Sequence, residues 1–410
     1  MSFAPVYRAR ALRDFGDGAA AVLLPAHLTA LGYGPAEIGM VATLALLGSA
    51  AVTLAIGLYG GRFPVRPMLL GGAALMAATG IGYATAESFA LIALVALLGT
   101  INPTAGGASL FMPLEHAVLA KAPSARRTHV FALYSLVGAL AAALGSLAVG
   151  VPEWLGIGLG SAFLAYAALG CAVGLAYAGL PRAAMGEVAD GRLGPSRAVV
   201  FRLAALFSLD SFAGGLAVQA LLALFLFRKF GLSVAEAGAF FFATGLLAAA
   251  SMPVAAWLGR RIGLVNTMVW THAPASLCLG IAVFCDDLWL ALGFLLVRAL
   301  LTQMDVPARS SYVMAVVTPA ERVAAASFTA VPRSLASAAG PAIAGWMMAQ
   351  GWDAAPFVAC TVLKITYDAI LFALFAKLRR RSPLRARGAR ERARPELSNK
   401  RLCADRGRDH

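Results

Sequence analysis

Long apolar segments recur from one end of this 410-residue chain to the other, and they constrain its fold more than any other feature. Each is about 20 residues or longer, enough for a helix to cross a hydrocarbon layer of roughly 30 Å. Their length and continuous apolarity favour helices over the alternating strands of a barrel. Twelve spans are predicted, near residues 12–32, 37–59, 67–86, 88–119, 128–150, 155–179, 200–228, 233–258, 264–285, 288–316, 322–349 and 354–377.

The composition supports a membrane location. Hydrophobic residues make up 60% of the chain and charged residues 13%, with a mean hydropathy of +0.77. A soluble domain carries about 25% charged residues, and it could not bury this much apolar surface. We therefore expect an all-α polytopic protein of the cell membrane, solvated mainly by lipid.

Charges between the spans alternate in sign along the chain. Basic residues precede the first span and follow every even-numbered span up to the tenth, whereas acids dominate the other loops. The positive-inside rule then places both termini in the cytoplasm. The basic positions are Arg8, Arg10, Arg62, Arg66, Lys121, Arg126, Arg127, Arg182, Arg192, Arg197, Arg260, Arg261 and Arg322, and the acidic ones are Glu37, Glu87, Glu153, Asp286, Asp287 and Asp353. Arg228 and Lys229 are the exception, because they fall on the predicted outer side.

The loop at 181–199 is the longest between spans, and it is polar and rich in turn residues. It predicts a cytoplasmic linker between a six-helix bundle at 1–180 and a second at 200–378. Residues 379–410 are basic and lack aromatic residues, which predicts a disordered cytoplasmic tail. Its clustered Lys and Arg favour contact with anionic lipid, and we expect no nucleic-acid partner.

An internal duplication supports the division into halves. LGYGPAEIG at 31–39 matches FGLSVAEAG at 230–238, an offset of 199 residues. The same offset places the basic turn at 60–64 on that at 259–263. Further along, 144–150 aligns with 339–345, which pairs Gly145 with Gly340. Matches in the same order between corresponding spans indicate two parallel halves.

These features resemble the major facilitator superfamily over nearly the whole chain up to the tail. The turn at 57–66 resembles a degraded form of its Gly-x-x-x-Asp-Arg-x-Gly-Arg/Lys signature, with Gly61 in the place of the acid and Pro64 in that of the second glycine. The resemblance implies twelve transmembrane helices in two parallel six-helix bundles related by a pseudo-two-fold axis. It also implies that helices 1, 4, 7 and 10 line a central solute path.

Charged side chains inside the spans are the candidate transport residues, because a charge at the centre of a membrane helix costs about 2.5–3.5 kcal/mol on insertion scales. Given the resemblance, Asp14, Asp17, Asp210, Gln219 and Arg298 face the solute path. We expect Asp17 or Asp210 to bind and release a proton, with Arg298 as the counter-charge of one of them. The alternative is a structural Asp–Arg pair that holds helices together.

Two interrupted segments are candidate gates. Glycine and proline break the fourth span at 99–107, and Pro307 breaks the tenth at 301–309. Both interruptions fit either a binding region or a bend at the cytoplasmic end. The gate candidates are the charges near that end, Arg62, Glu115, Arg261, Asp305 and Arg309. In the last span, Lys364 and Asp368 are spaced i,i+4 and are predicted to neutralise each other.

The chain contains no P-loop, HExxH or GxSxG motif, and its five cysteines include no CxxC pair. We therefore expect no enzyme activity, no cofactor and no metal. The function favoured is gradient-driven secondary transport of a small molecule, with a proton as the coupling ion and a monomer as the unit. Apolar cavity helices favour export of an amphipathic or toxic compound. Uptake of a small metabolite and a transporter-like membrane sensor are the alternatives.

Overall fold

The structure is a computed structural model that describes residues 3–59, 63–104, 109–180, 196–304, 309, 313, 317 and 322–375. Within these residues the chain is helical and contains no β-sheet. The helices are α1 Ala4–Ala30, α2 Pro35–Tyr59, α3 Val65–Thr85, α4 Phe89–Leu98, α5 Phe111–Leu119, α6 Ser124–Ala148, α7 Val151–Trp154, α8 Leu159–Ala178, α9 Arg197–Leu216, α10 Gln219–Phe230, α11 Val234–Ile262, α12 Leu264–Ala282, α13 Leu288–Thr302, α14 Arg322–Ala349 and α15 Ala355–Phe375.

Within the described residues, each predicted span overlaps one of these helices or two in succession, and most of the tenth span after residue 304 lies outside that part. The described residues include seven segments that are long and apolar enough to cross a membrane, namely Pro35–Ile56, Val65–Thr85, His129–Trp154, Leu159–Ala178, Arg197–Phe230, Val234–Ile262 and Ala355–Leu374. Shorter apolar helices are present at Phe89–Leu98 and Leu288–Thr302. The chain is therefore an all-α polytopic membrane protein, and the full count of twelve spans stays a prediction.

Exposed aromatic residues mark one edge of the apolar surface. Trp154, Trp289 and Trp352 are each more than half exposed, and they lie beside the acidic loops that are predicted to face outward. Tryptophan is enriched at membrane–water interfaces, where its apolar ring and polar N–H are both accommodated. These side chains therefore fit the predicted outer surface of the bilayer.

The two basic residues that contradict the loop-charge pattern are matched by acids on that same side. Arg228 lies 3.1 Å from Asp353, and Lys229 lies 3.8 Å from Asp286. Lys229 also donates a hydrogen bond to the carbonyl of Val283 at 2.9 Å. Because the partners belong to the acidic loops, this exception is compatible with the predicted topology.

The predicted duplication reappears in the packing. Gly145 of α6 lies so close to the backbone of Phe15 in α1 that a Cβ would collide there. Gly340 of α14 lies in the same way against Gly215 of α9. Since the sequence repeat aligns these two glycines, α1 with α6 and α9 with α14 are equivalent helix pairs.

The repeated motifs also make the contacts between the N-terminal half (residues 3–180) and the C-terminal half (residues 196–375). The start of α2 packs on the end of α14, where Gly39 lies against the backbone of Gly345. Thr43 Oγ1 accepts a hydrogen bond from the backbone N–H of Ala342 at 2.9 Å.

The equivalent contact joins the start of α11 to the end of α6, where Gly238 lies against the carbonyl of Ser146. A second glycine of α11, Gly245, lies close to Ala143. Both pairs of helix ends belong to the predicted outer side. The two halves therefore touch each other there through glycines that leave no room for a side chain.

Candidate functional site

The fourth and seventh spans are both broken, and the breaks meet. In the seventh, α9 ends at Leu216 and α10 begins at Gln219. The backbone N–H of Ala220, in the first turn of α10, donates to the carbonyl of Pro103 at 3.2 Å. This bond connects the C-terminal half to the break in the fourth span.

The break in the fourth span was predicted at 99–107, and it is present between α4 and α5. Thr100 N–H donates to Thr79 Oγ1 at 3.2 Å, and Asn102 Oδ1 accepts from the backbone N–H of Thr104 at 2.9 Å. These side chains accept from backbone N–H groups that would be bonded within the helix if it were continuous. In the tenth span α13 ends at Thr302, and residues 305–308 lie outside the described part.

A cluster of buried charged side chains lies inside the N-terminal half. In α1, Arg10 Nε lies 2.7 Å from Asp14 Oδ2, and Arg13 Nη2 lies 3.4 Å from Asp14 Oδ1. Arg13 Nη1 lies 3.0 Å from Glu115 Oε2 in α5. Arg13 is 1% exposed and Glu115 is 0% exposed, so this pair is sealed from solvent. We call these four residues together with Asp17 the N-terminal cluster.

Tyrosines complete the hydrogen bonding of Glu115. Tyr134 donates to Oε2 at 2.6 Å and Tyr177 donates to Oε1 at 2.7 Å. Arg10 also lies over the ring of Tyr134, 4.6 Å from its centroid. With two hydroxyl donors and one guanidinium donor, Glu115 is well satisfied despite its burial.

Asp17 differs from the other two carboxylates of the cluster. It is 2% exposed, and its hydrogen-bond donor is the hydroxyl of Tyr166, at 3.0 Å. Among the described residues no cation lies within 4 Å of it, whereas Asp14 and Glu115 each pair with an arginine. The cluster thus holds three carboxylates against two guanidinium groups, and Asp17 is the one without a cation.

An apolar cavity of about 340 Å³ lies beside Gly16, the residue before Asp17. Its walls include Phe15 and Leu23 of α1 and Phe163 and Leu169 of α8. Tyr166, which donates to Asp17, also lines it. A molecule in this cavity would therefore touch the donor of the unmatched carboxylate.

From the sequence, Arg10 is expected in the loop before the first span, and no role is expected for Arg13. That placement of Arg10 is wrong, because α1 begins at Ala4 and Arg10 is 7% exposed inside the cluster. A signal was present, since positions 10, 13, 14 and 17 follow the i, i+3, i+4, i+7 spacing of one helix face. Because two arginines share one helix face with two aspartates, this spacing indicates that the four side chains form ion pairs inside the protein.

The C-terminal half contains a second buried cluster, centred on Asp210 of α9. Asp210 Oδ1 lies 2.8 Å from Lys364 Nζ, and its Oδ2 lies 2.9 Å from Arg309 Nη2. His272 of α12 lies 3.4 Å from Asp210 through Nε2 and 3.0 Å from Asp368 through Nδ1. We call these five residues the C-terminal cluster.

Two expectations about pairing differ from the structure. Arg298 is not the counter-charge of Asp17 or Asp210, since Asp210 instead pairs with cations from two other segments. Lys364 and Asp368 do not neutralise each other, because Lys364 turns to Asp210 and Asp368 turns to His272. The sequence analysis did not predict a role for this histidine.

Comparison with known proteins identifies the family. The model of the Major Facilitator Superfamily matches residues 203–407, half of the chain. The chain belongs to the Major Facilitator Superfamily. It is also 22% identical over 410 residues to the uncharacterized membrane protein YJR124C of Saccharomyces cerevisiae, covering 89% of this chain and 92% of that protein. As a superfamily member, the chain is a multi-pass membrane transporter of small solutes.

Solved transporters share the fold. The nucleoside transporter NupG is 15% identical, with a TM-score of 0.72 and coverage of 92% of this chain and 99% of NupG. A bacterial homolog of the human lysosomal transporter Spinster is 15% identical, with a TM-score of 0.68 over 90% of this chain and 95% of its own. The human organic anion transporter MFSD10 is 18% identical, with a TM-score of 0.65 over 90% and 98%.

Of the gate candidates in this superfamily member, Glu115 and Arg309 pair inside their own halves in this conformation. Arg261 lies over the ring of Trp257 in its own helix, 5.2 Å from the centroid. Arg62 and Asp305 lie outside the described residues, as do most of the linker at 181–199 and the tail at 379–410. The role of these residues in gating stays a prediction.

Proposed function

We propose that this protein is a proton-coupled secondary transporter that exports a small amphipathic compound, with Asp17 as the proton-binding group. The observation that carries the proposal is the imbalance in the N-terminal cluster, where Asp17 is buried, accepts from a tyrosine hydroxyl and has no cation within 4 Å among the described residues. An ionised carboxylate enclosed in this way is costly, and binding a proton removes the cost. Opening of the site to water would allow the proton to leave.

Asp210 is the weaker candidate for this role. Its two oxygens face Lys364 and Arg309 at 2.8 and 2.9 Å, so its charge is already compensated. We assign it a structural role that ties α9 to α15 and to the tenth span.

The apolar cavity beside Tyr166 supports an amphipathic cargo. Its lining is almost entirely aliphatic and aromatic, which favours a poorly hydrated molecule over a sugar. Its contact with the hydrogen-bond donor of Asp17 would link the cargo to the proton site. Uptake of a small metabolite is the alternative direction.

Alternating access would use the contact between the halves. The glycine contacts of α2 with α14 and of α6 with α11 support a state closed on the predicted outer side. Rocking the two bundles, residues 1–180 and 200–378, about these ends would open it. In this proposal both termini are cytoplasmic, the protein is a monomer of the cell membrane, and the tail contacts anionic lipid.

The test is proton movement in proteoliposomes that contain the full-length protein and a trapped pH dye. Toxic compounds that inhibit growth of a deletion strain serve as the solutes, and the sign of flux under an imposed pH gradient gives the direction. Asp17→Asn should abolish solute-driven proton movement while solute exchange continues. Asp286→Asn, a change at a fully exposed carboxylate, is the matched control. Wild-type proton movement in Asp17→Asn would refute the assignment.

A further inference from the structure

Arg298 is a charged residue at membrane depth in the C-terminal half. It lies ten residues after Leu288, the start of α13, which at 1.5 Å per residue is about 15 Å along the helix. Leu295 and Ala299, which flank it in the same turn, are buried. Arg298 therefore lies near the middle of the bilayer and beside the inward face of its helix.

Among the residues that the structure describes, the guanidinium of Arg298 has no counter-charge. It makes no hydrogen bond or ion pair with any of the residues that the structure describes. It is surrounded by protein, yet its side chain retains an intermediate share of accessible surface. The side chain therefore places a full positive charge beside the inward face of α13 while part of its surface stays accessible.

The described acids of the C-terminal cluster are already paired. Asp210 is bound by Lys364 and Arg309, and Asp368 is bound by His272. The described titratable groups close to Arg298 are the thiols of Cys360 and Cys278. A thiol is mostly protonated at neutral pH, so neither supplies a full negative charge.

We propose that Arg298 binds the anionic group of the transported solute, a carboxylate, sulfonate or phosphate on a small organic molecule. Unmatched intramembrane charges are costly, and an anion from solution would neutralise this one. The guanidinium fork matches such groups with two parallel hydrogen bonds. A lipid headgroup would have to leave the interface and descend about 15 Å to reach it, which favours a free solute.

This inference rests on the proposed transport function and adds a charge to the amphipathic cargo. The test is thermal stabilisation of the full-length protein, purified in detergent without anionic lipid. Benzoate, benzenesulfonate and phenyl phosphate are the anionic probes, and benzamide is the neutral one. At least one anion should stabilise the wild type in a concentration-dependent manner, and benzamide should not.

Arg298→Gln should weaken the apparent affinity for that anion about tenfold or more, since a charge-assisted pair is lost. Arg298→Lys should retain part of it because the positive charge remains. Arg228→Gln, which removes an outer-surface cation paired with Asp353, is the control and should bind like the wild type.

Three results would overturn the inference. The anion could stabilise Arg298→Gln as much as the wild type, or no anion could stabilise the wild type more than benzamide. Arg298→Gln could also lower the melting temperature without any probe, which would indicate a structural role. Since binding is measured without a gradient, the assay is independent of proton coupling. Retained binding in Asp17→Asn alongside lost proton movement would separate the two proposals.

Discussion

Removing the carboxylate charge of Asp210 should destabilise the protein strongly. The residue is 4% exposed, and its two oxygens face Lys364 and Arg309. In Asp210→Asn both cations would remain enclosed without their counter-charge. Breaking a buried ion pair on one side costs about 3–5 kcal/mol. At about 2–4 °C per kcal/mol for a unit the size of one half, the expected fall in melting temperature is roughly 6–20 °C.

The measurement is thermal denaturation of the full-length protein in detergent. It is monitored by the fraction of protein that remains monodisperse on size-exclusion chromatography. Asp17→Asn is the matched comparison, because Asp17 is equally buried but accepts from the neutral Tyr166 alone. The amide oxygen can still accept that bond, so its cost should stay near 1 kcal/mol or below. The expected order of stability is wild type, then Asp17→Asn, then Asp210→Asn.

Double variants test which cation depends on Asp210. Asp210→Asn with Lys364→Met should recover part of the lost stability, since one stranded charge is removed with its volume largely conserved. Asp210→Asn with Arg298→Gln should recover none, because Arg298 does not pair with Asp210. The reasoning is refuted if Asp210→Asn is as stable as Asp17→Asn, or if only the Arg298 double variant recovers.

Two further variants test the contact between the halves and the outer surface. Gly39→Val should abolish transport while the protein still folds, because a side chain there collides with Gly345 and hinders closure of the outer side. Gly71→Ala is the control. A Cβ at position 71 meets no atom within 4 Å, so this variant should transport normally. Thiol labelling from outside should increase in the Gly39 variant, and unchanged labelling and flux would contradict this role. Asp353→Asn should change the free energy of unfolding by less than about 1 kcal/mol in the same denaturation assay, because its pair with Arg228 is more than one-third exposed. A larger loss of stability would show that the pair is structural.

Several features could be predicted from the sequence because they depend on residues that are close together in the chain. The helices of the apolar spans could be predicted because each segment has to satisfy its own backbone hydrogen bonds when it is surrounded by lipid. The break at 99–107 followed from its glycines and proline. The repeat at 144–150 and 339–345 indicated equivalent helices, and its glycines Gly145 and Gly340 lie at equivalent crossings. Each of these inferences uses residues that are close together in the chain or in a repeated pattern.

Only the tertiary structure determined which buried charges meet. Lys364 and Asp368 share one helix face, yet each pairs with a residue more than 90 positions away along the chain. Arg298 looked like a partner for Asp210, and the packing of the tenth span provides Arg309 instead. Helical spacing determines which face a side chain occupies. The partner across the gap depends on how whole helices are rotated and packed in the bundle, and no local pattern encodes that rotation.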